Sequence, residues 1–460
     1  MEKNLRFVME KIKNLFFIGI GGISMSSLAF ACKKAGYKVA GSDRDASAMT
    51  KKLSDGKIPV YIGHDAKNID GYDAVVYTGA IADDNPELIA AKEKDLPIIY
   101  RADLLGWLMR KFRHRIGVAG MHGKSTATSM MAHIFIAAGT DPTVMSGAET
   151  REMGGAYRTG KSRENFIFEA CEYKDSFLDM FPSISVLLNI DVDHTDYFSG
   201  IEQIKTSFEK FAQIPFLTGA EEPIVIACGD DEKTLDIAAR SPRDVTFGID
   251  NPNCDYLATK ITEKRGFYSF EIIKDGEPEG KVALKVPGYH NIYNALAAFA
   301  AADVCGISCE KICSALSDFE GTLRRFEYKG SRDGVEVYID YAHHPREISA
   351  VISTAKKVAA GGKVIALFEP HTYSRTAEHF DAFASALSEA DNVILLDIYA
   401  ARETNTFGVS SAQLADAIPG ACYAPSYESA ASIATTFADD GDLILILGAG
   451  TIYKIADLIV

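Results

Sequence analysis

The sequence predicts an α/β protein of three domains, each built on an open, mostly parallel sheet covered by helices. Three observations carry this expectation. At 460 residues the chain exceeds what one hydrophobic core organises, so it must divide. Short apolar runs alternate with helical stretches along most of its length. Glycine-rich turns join such a run to a helix at Gly19–Gly22 and at Gly120–Gly123.

The first segment is expected over 1–112. Leu15–Ile18 is an apolar strand, Gly19-Ile20-Gly21-Gly22 the turn, and a helix runs on to Lys34, where Gly36 stops it. Tyr37–Gly41 is the next strand, ending in Ser42-Asp43, and strands at Ala74–Tyr77 and Pro97–Ile99 continue the alternation. This is a Rossmann-like βαβ unit with an acidic residue after its second strand. The third glycine of a dinucleotide fingerprint is missing, because Met25 and Ser26 occupy that place. A diphosphate on a helix N-terminus is the more general reading of the turn.

The second segment is expected over 113–327. It opens on Gly117-Val-Ala-Gly120-Met-His-Gly123-Lys124-Ser125-Thr126, followed by helical composition from Thr126 to Ala138. Gly120 and Gly123 let the backbone curl around an anion, Lys124 supplies a cation and Ser125 a hydroxyl suited to Mg²⁺. The spacing is shorter than the usual eight-residue pattern, but the context is that of a P-loop, so the domain is ATPase-like. Strands are expected at Phe166–Glu169, Ser185–Asn189 and Ile224–Ala227, then a β-rich stretch over 255–287 and a helix over Asn291–Val304. The third segment, 328–460, is expected to form another Rossmann-like sheet from Val335–Asp340, Lys363–Phe368, Asn392–Asp397 and Asp442–Leu447.

Net charge is −15, and no Lys/Arg cluster interrupts it. Nucleic acid and membrane insertion are therefore not expected, and any anionic substrate must be met by local cations and helix ends. No apolar run reaches membrane-spanning length, and a cytoplasmic location is expected. The eight cysteines include no CxxC pair, which points to a reducing compartment. Cys305, Cys309 and Cys313 are read as buried thiols on one helix face rather than as a metal stripe.

Glu169 lies at the end of an apolar strand and His194 just past another. With Ser125 they are expected to converge on Mg²⁺, or Mn²⁺ in its place, because open α/β sheets bind ligands at the carboxyl ends of their strands. His290, Asn291 and Asn294 precede an alanine-rich stretch and can bond a nucleobase edge, or Asn291 can cap the helix. In the third segment Asp340-Tyr341-Ala-His343-His344-Pro and His371-Thr-Tyr-Ser-Arg375-Thr each follow a strand, and Arg324-Arg325-Phe326 precedes them. Adjacent histidines rarely point the same way, so substrate binding is preferred there to a metal site.

Together these motifs resemble the Mur ligases, the ATP-dependent amide-forming enzymes of peptidoglycan precursor synthesis. The carriers are Gly19-Ile-Gly-Gly-Ile-Ser-Met, His122-Gly-Lys-Ser-Thr, Glu169-Ala-Cys-Glu, Asn189-Ile-Asp-Val-Asp-His, Gly288-Tyr-His-Asn-Ile-Tyr-Asn, Arg324-Arg-Phe, Asp340-Tyr-Ala-His-His-Pro and His371-Thr-Tyr-Ser-Arg-Thr. The resemblance is strongest to members that join L-alanine to UDP-N-acetylmuramate. The member that attaches a preformed tripeptide is the alternative, and an NAD-dependent oxidoreductase or a nucleotide-regulated binding protein are remoter ones. The resemblance implies a monomer or homodimer with ATP, UDP-N-acetylmuramate and L-alanine as substrates. It implies catalytic roles for Lys124, Glu169 and His194, and a metal held by Ser125, Glu169 and His194. It further implies ATP binding by Gly120, His122, Gly123, Lys124, Ser125, Thr126, His290, Asn291, Asn294, Arg325 and Asp340. The uridine substrate falls to Gly19, Gly21, Gly22, Ser24, Met25, Asp43 and Arg101, and the amino acid to Tyr341, His343, His371 and Arg375. Met121, Cys171, Ile339 and Ala342 depart from the usual family residues. Several relatives carry a carbamylated lysine after the His194 motif; Glu209 stands nearest that place here, so no carbamate is expected.

Overall fold

A computed structural model describes residue 9 and residues 11–150, 152–192, 197–401 and 403–460. His194 lies outside the described residues. The chain divides into two compact units: 1–147 with 153–255 and 297–308, and 148–152 with 256–296 and 309–460.

The first unit holds two sheets. The first comprises β1 (Asn14–Ile18), β2 (Lys38–Asp43), β3 (Val60–Ile62), β4 (Ala74–Tyr77) and β5 (Ile98–Tyr100), all parallel in the order β3-β2-β1-β4-β5. The order reverses beside β1, and the turn Gly19–Gly22 leaves β1 at that switch point, where crevices form in such sheets. The second contains β6 (His114–Ala119), β7 (Thr143–Thr150), then β8 (Gly155–Arg158), β9 (Asn165–Glu169), β10 (Ile184–Leu187), β11 (Ile224–Cys228) and β12 (Asp244–Gly248). Its parallel core runs β12-β11-β10-β6-β9-β7. The inner strands β6, β9, β10 and β11 are buried on both faces, as helices on both sides require.

One apolar cluster reaches from Leu15, Phe17 and Leu104 through Phe168, Phe177, Phe208 and Phe211, so the two sheets of this unit share a core. Phe177 and Phe211 stack with centroids 4.8 Å apart. Arg115, buried at the start of β6, donates to the carbonyls of Phe181 (2.7 Å) and Phe112 (2.8 Å), which fixes the chain where it enters the second sheet.

The second unit begins with an antiparallel meander of β13 (Tyr256–Lys264), β14 (Phe267–Lys274) and β15 (Glu277–Ala283). Its main sheet contains β16 (Glu327–Arg332), β17 (Val335–Asp340), β18 (Val364–Phe368), β19 (Asn392–Leu395), β20 (Cys422–Tyr423) and β21 (Leu443–Leu447). The order is β16-β17-β21-β18-β19-β20, parallel except for β16. Separate apolar clusters cover its two faces, one around Phe368 and Phe383, the other around Ile365, Ile394 and Ile444. Among the described residues no helix is long and apolar enough to cross a membrane.

The three cysteines read as one helical stripe do not form one. Cys305 follows the helix His290–Val304, whereas Cys309 and Cys313 belong to a new helix, Cys309–Asp318. Gly306, at φ +82°, breaks the chain between them.

Candidate functional site

The phosphate loop lies between β6 and the helix Lys124–Ala137. Gly123 stands immediately before that helix at φ +87°, in the left-handed region that favours glycine. Gly120 sits at φ +154°, and a Cβ there would lie 2.9 Å from the Leu188 Cβ. Asn189 holds the loop between them. Its Oδ1 accepts from the His122 N–H at 2.9 Å, and its Nδ2 donates to the His122 carbonyl at 3.0 Å. The sequence reading did not single out Asn189 for this task, although it lies two residues past β10 within a quoted motif.

Two carboxylates, one ending β9 and one just after it, meet the two functional side chains of the loop. Ser125 Oγ donates to Glu169 Oε2 at 2.8 Å, and the Gly147 N–H donates to the same oxygen at 2.7 Å. Lys124 Nζ donates to the Gly120 carbonyl at 2.6 Å and lies 3.0 Å from Glu172, which is fully buried. Glu172 was not a predicted site residue. Its signal was its spacing, three residues beyond Glu169 in Glu-Ala-Cys-Glu. Among the described residues no cluster of metal-binding side chains stands out, and His194 falls outside them.

At the first sheet, the N–H groups of Gly19 and Ile20 donate to the Ser42 carbonyl. Asp43 Oδ2 accepts from the Gly21 N–H at 2.8 Å, so this carboxylate braces the turn. Gly22 caps the helix Ile23–Lys34, Ser24 is exposed on its first turn, and Met25 is buried in the shared core. Arg101, at the start of the helix Arg101–Met109, lines a small apolar cavity with Ser24. Beside the turn lies a network the sequence reading missed. Buried Glu87 accepts from Ser42 Oγ at 2.6 Å and from Asn68 Nδ2 at 2.7 Å, and His64 Nδ1 is 2.8 Å away.

In the second unit, Asp340 closes β17 and is buried. Its carboxylate accepts from the Phe326 and Ala342 N–H groups, each at 2.7 Å. Burial raises its pKa to about 6, against the opposing pull of Arg325 and those two N–H groups. Arg324 donates to the carbonyls of Gly448 (2.6 Å) and Gly450 (3.1 Å) and lies over the rings of Tyr341 and Tyr453. Arg325 is exposed, 5.6 Å from the Tyr341 ring centroid. Asn291 Nδ2 donates to the Pro287 carbonyl, and Asn294 Nδ2 to Asn291 Oδ1, both within a buried setting. The helix begins at His290, which is exposed, so Asn291 lies inside it rather than at its cap.

The adjacent histidines part company. His344 caps the helix Pro345–Ala359 and meets His379, whereas His343 turns toward His371, ring centroids 6.1 Å apart. His343 Nδ1 faces two acceptors, the Tyr341 carbonyl at 3.1 Å and Glu347 at 3.4 Å. That nitrogen therefore carries the hydrogen and Nε2 is left as acceptor. His371 Nδ1 faces a donor, Arg375 Nη1 at 3.3 Å, so its hydrogen belongs on Nε2. Burial holds both imidazoles below their ordinary pKa; for His371 the Arg375 charge adds to it. Two neutral rings of opposite tautomer thus stand beside a guanidinium. Tyr341, His343, His371 and Arg375 form a chain of neighbours, each within reach of the next.

Three family models match in succession: "Mur ligase family, catalytic domain" over 14–113, "Mur ligase middle domain" over 118–302 and "Mur ligase, glutamate ligase domain" over 324–450. This chain belongs to the Mur ligase family. Its three sheets are the three-domain Mur ligase architecture. The UDP-N-acetylmuramate–L-alanine ligase of Caldicellulosiruptor bescii is 45% identical over 450 residues, covering 96% of this chain and 97% of the relative. That of Clostridium acetobutylicum is 43% identical, with 97% of each chain covered. Among solved structures, the UDP-N-acetylmuramate-alanine ligase of Thermotoga maritima superposes with a TM-score of 0.77 at 28% identity, covering 97% of this Mur ligase and 98% of that chain. A murein peptide ligase from Psychrobacter arcticus, at 24% identity and a TM-score of 0.66 over 97% and 98% of the two chains, shares the fold.

Proposed function

We propose that this Mur ligase joins L-alanine to the lactyl carboxylate of UDP-N-acetylmuramate, converting ATP to ADP and phosphate, in the cytoplasm. The observation that carries the reading is the phosphate loop with Lys124 and Ser125 each matched to a carboxylate, in a chain 45% identical over nearly its whole length to a ligase of that name. Residues 1–112 would hold the uridine substrate, 113–327 the ATP and 328–460 the amino acid.

The substrate carboxylate attacks the γ-phosphorus of ATP, forming an acyl phosphate and releasing ADP. The alanine amine then attacks the acyl carbon, and phosphate leaves. Carboxylate and triphosphate repel, so the first step needs cations in place before reaction. Lys124, at the head of the helix Lys124–Ala137, gives one, and the helix N-terminus adds its dipole. Mg²⁺, or Mn²⁺ in its place, supplies further charge neutralisation on the triphosphate when bound. Ser125 Oγ and Glu169 are adjacent oxygen donors that fit such a hard cation, and the family resemblance adds His194.

For the second step the amine must be unprotonated. His343 Nε2 offers an acceptor for its proton, His371 Nε2–H a donor, and Arg375 a fork for the alanine carboxylate. Asp340 orders the Phe326 and Ala342 backbone, and the family resemblance assigns it and Arg325 to ATP. The Gly19–Gly22 turn, Ser24, Asp43 and Arg101 would meet the uridine diphosphate. Phosphate release should require UDP-N-acetylmuramate, ATP and L-alanine together. Release with a tripeptide acceptor but not with L-alanine would move the enzyme to the recycling branch.

A further inference from the structure

The stretch Ile398-Tyr-Ala-Ala-Arg-Glu403, which follows β19, has no part in the chemistry above, yet it is fastened onto the His371–Arg375 segment at two points. At one, the Tyr399 N–H donates to the Pro370 carbonyl at 2.8 Å, and the Thr372 N–H donates to the Tyr399 carbonyl at 3.0 Å. At the other, Glu403 accepts from the Ser374 N–H at 2.9 Å and from Ser374 Oγ at 2.5 Å. Between these fastenings the Tyr399 ring stacks on His371, centroids 5.6 Å apart and planes 18° apart. Gly450 also lies against the ring, since a Cβ there would come within 2.8 Å of it. The ring thus packs against an imidazole and against the Gly450 backbone, and the fastenings at Tyr399 and Glu403 hold the segment that carries it. Even so, 38% of the residue is exposed.

We propose that Tyr399 is a specificity-determining residue: a fixed wall beside His371 and Arg375 that limits the incoming amino acid to a small side chain. The proposal deepens the ligase reading and rests on it. With its carboxylate on Arg375, an amino acid presents its side chain close to His371, and the face of His371 on one side is already covered by Tyr399. A flexible neighbour would yield to an extra methylene, whereas a ring packed on His371 in a fastened segment rejects it by overlap. An apolar pocket separates substrates differing by one methylene by roughly 10–200-fold. Removing the wall should lose most of that discrimination.

The test compares kcat/KM for L-alanine, L-2-aminobutyrate and L-valine in the full-length enzyme. In Tyr399→Ala the preference for L-alanine over L-2-aminobutyrate should fall by about tenfold or more, while the KM for ATP stays within about twofold. Tyr399→Phe keeps the ring and should keep the preference. Should Tyr399→Ala not fold, Tyr399→Leu serves, with a smaller fall in the same direction. A folded Tyr399→Ala or Tyr399→Leu enzyme that loses rate equally for all three amino acids shows a merely structural ring and overturns the proposal. Absence of L-alanine-dependent phosphate release in the unmodified enzyme would instead refute the ligase reading, and the wall with it.

Discussion

At the scale of single residues, the ion pair between Lys124 and Glu172 changes what a substitution in the phosphate loop means. Lys124→Ala removes a preorganised cation, and the expected loss in kcat is on the order of 10²–10³. It also leaves the fully buried Glu172 facing a vacancy. Breaking a buried pair from one side typically costs roughly 3–5 kcal/mol, so the single variant should be less stable as well as slow. The charge-neutral double variant Lys124→Met with Glu172→Gln separates these effects. Its urea midpoint should recover most of the loss while its turnover remains low. A double variant that regained turnover would remove Lys124 from the chemistry. Glu172→Gln alone leaves the Lys124 ammonium with the Gly120 carbonyl and no counter-charge, and a fall in both stability and kcat is expected. Near-normal values of both would show that the pair is incidental.

The element that ties chemistry to stability is β17 with the turn after it. Asp340 ends that strand and orders two backbone segments through its carboxylate. Burial raises its pKa to about 6 from the usual carboxylate range. The folded chain then binds more protons than the unfolded chain between roughly pH 4 and 6, so this group's contribution makes stability fall as pH rises through that window. Below it both states are protonated and the contribution vanishes. Above it a constant penalty remains, of order 3 kcal/mol for about two pKa units. Asp340→Asn removes the titration. Unfolding of wild type and variant, measured from pH 4 to 7, should show the stability of wild type relative to the variant falling as pH rises, because only the wild type carries the Asp340 titration. Parallel curves would show that Asp340 does not titrate in this range.

For the molecule as a whole, two compact units with separate apolar clusters predict that unfolding is not a single two-state event. The Gly19–Gly22 turn belongs to the first unit. UDP-N-acetylmuramate at 100 times its Kd should stabilise that unit by about 2.7 kcal/mol, visible as a shifted calorimetric transition, and should leave the other transition in place. NAD should shift neither. A shift produced by NAD and not by the uridine nucleotide would return the first sheet to dinucleotide chemistry and undo the assignment of its turn.

Much of this was legible in the chain. Ala74–Tyr77 and Val335–Asp340 were bounded correctly because apolar runs between turn residues leave few alternatives. The Gly-Lys-Ser loop declared its fold context because glycine geometry and helix-end charge act locally. The helix after it starts at Lys124, earlier than expected, since the lysine and serine of the loop already take helical positions. Strands at sheet edges, such as β3, β8, β16 and β20, were missed: β3 and β20 are only three and two residues long, and β8 and β16 mix polar with apolar residues and are partly exposed. What only the tertiary structure decided was partnership. Glu172 against Lys124, Asn189 across His122, and Tyr399 against both His371 and Gly450 join residues far apart in sequence. Local pattern reports which face a side chain occupies. Which distant group it meets is fixed only when sheets pack, because burial forces each polar atom there to find a partner.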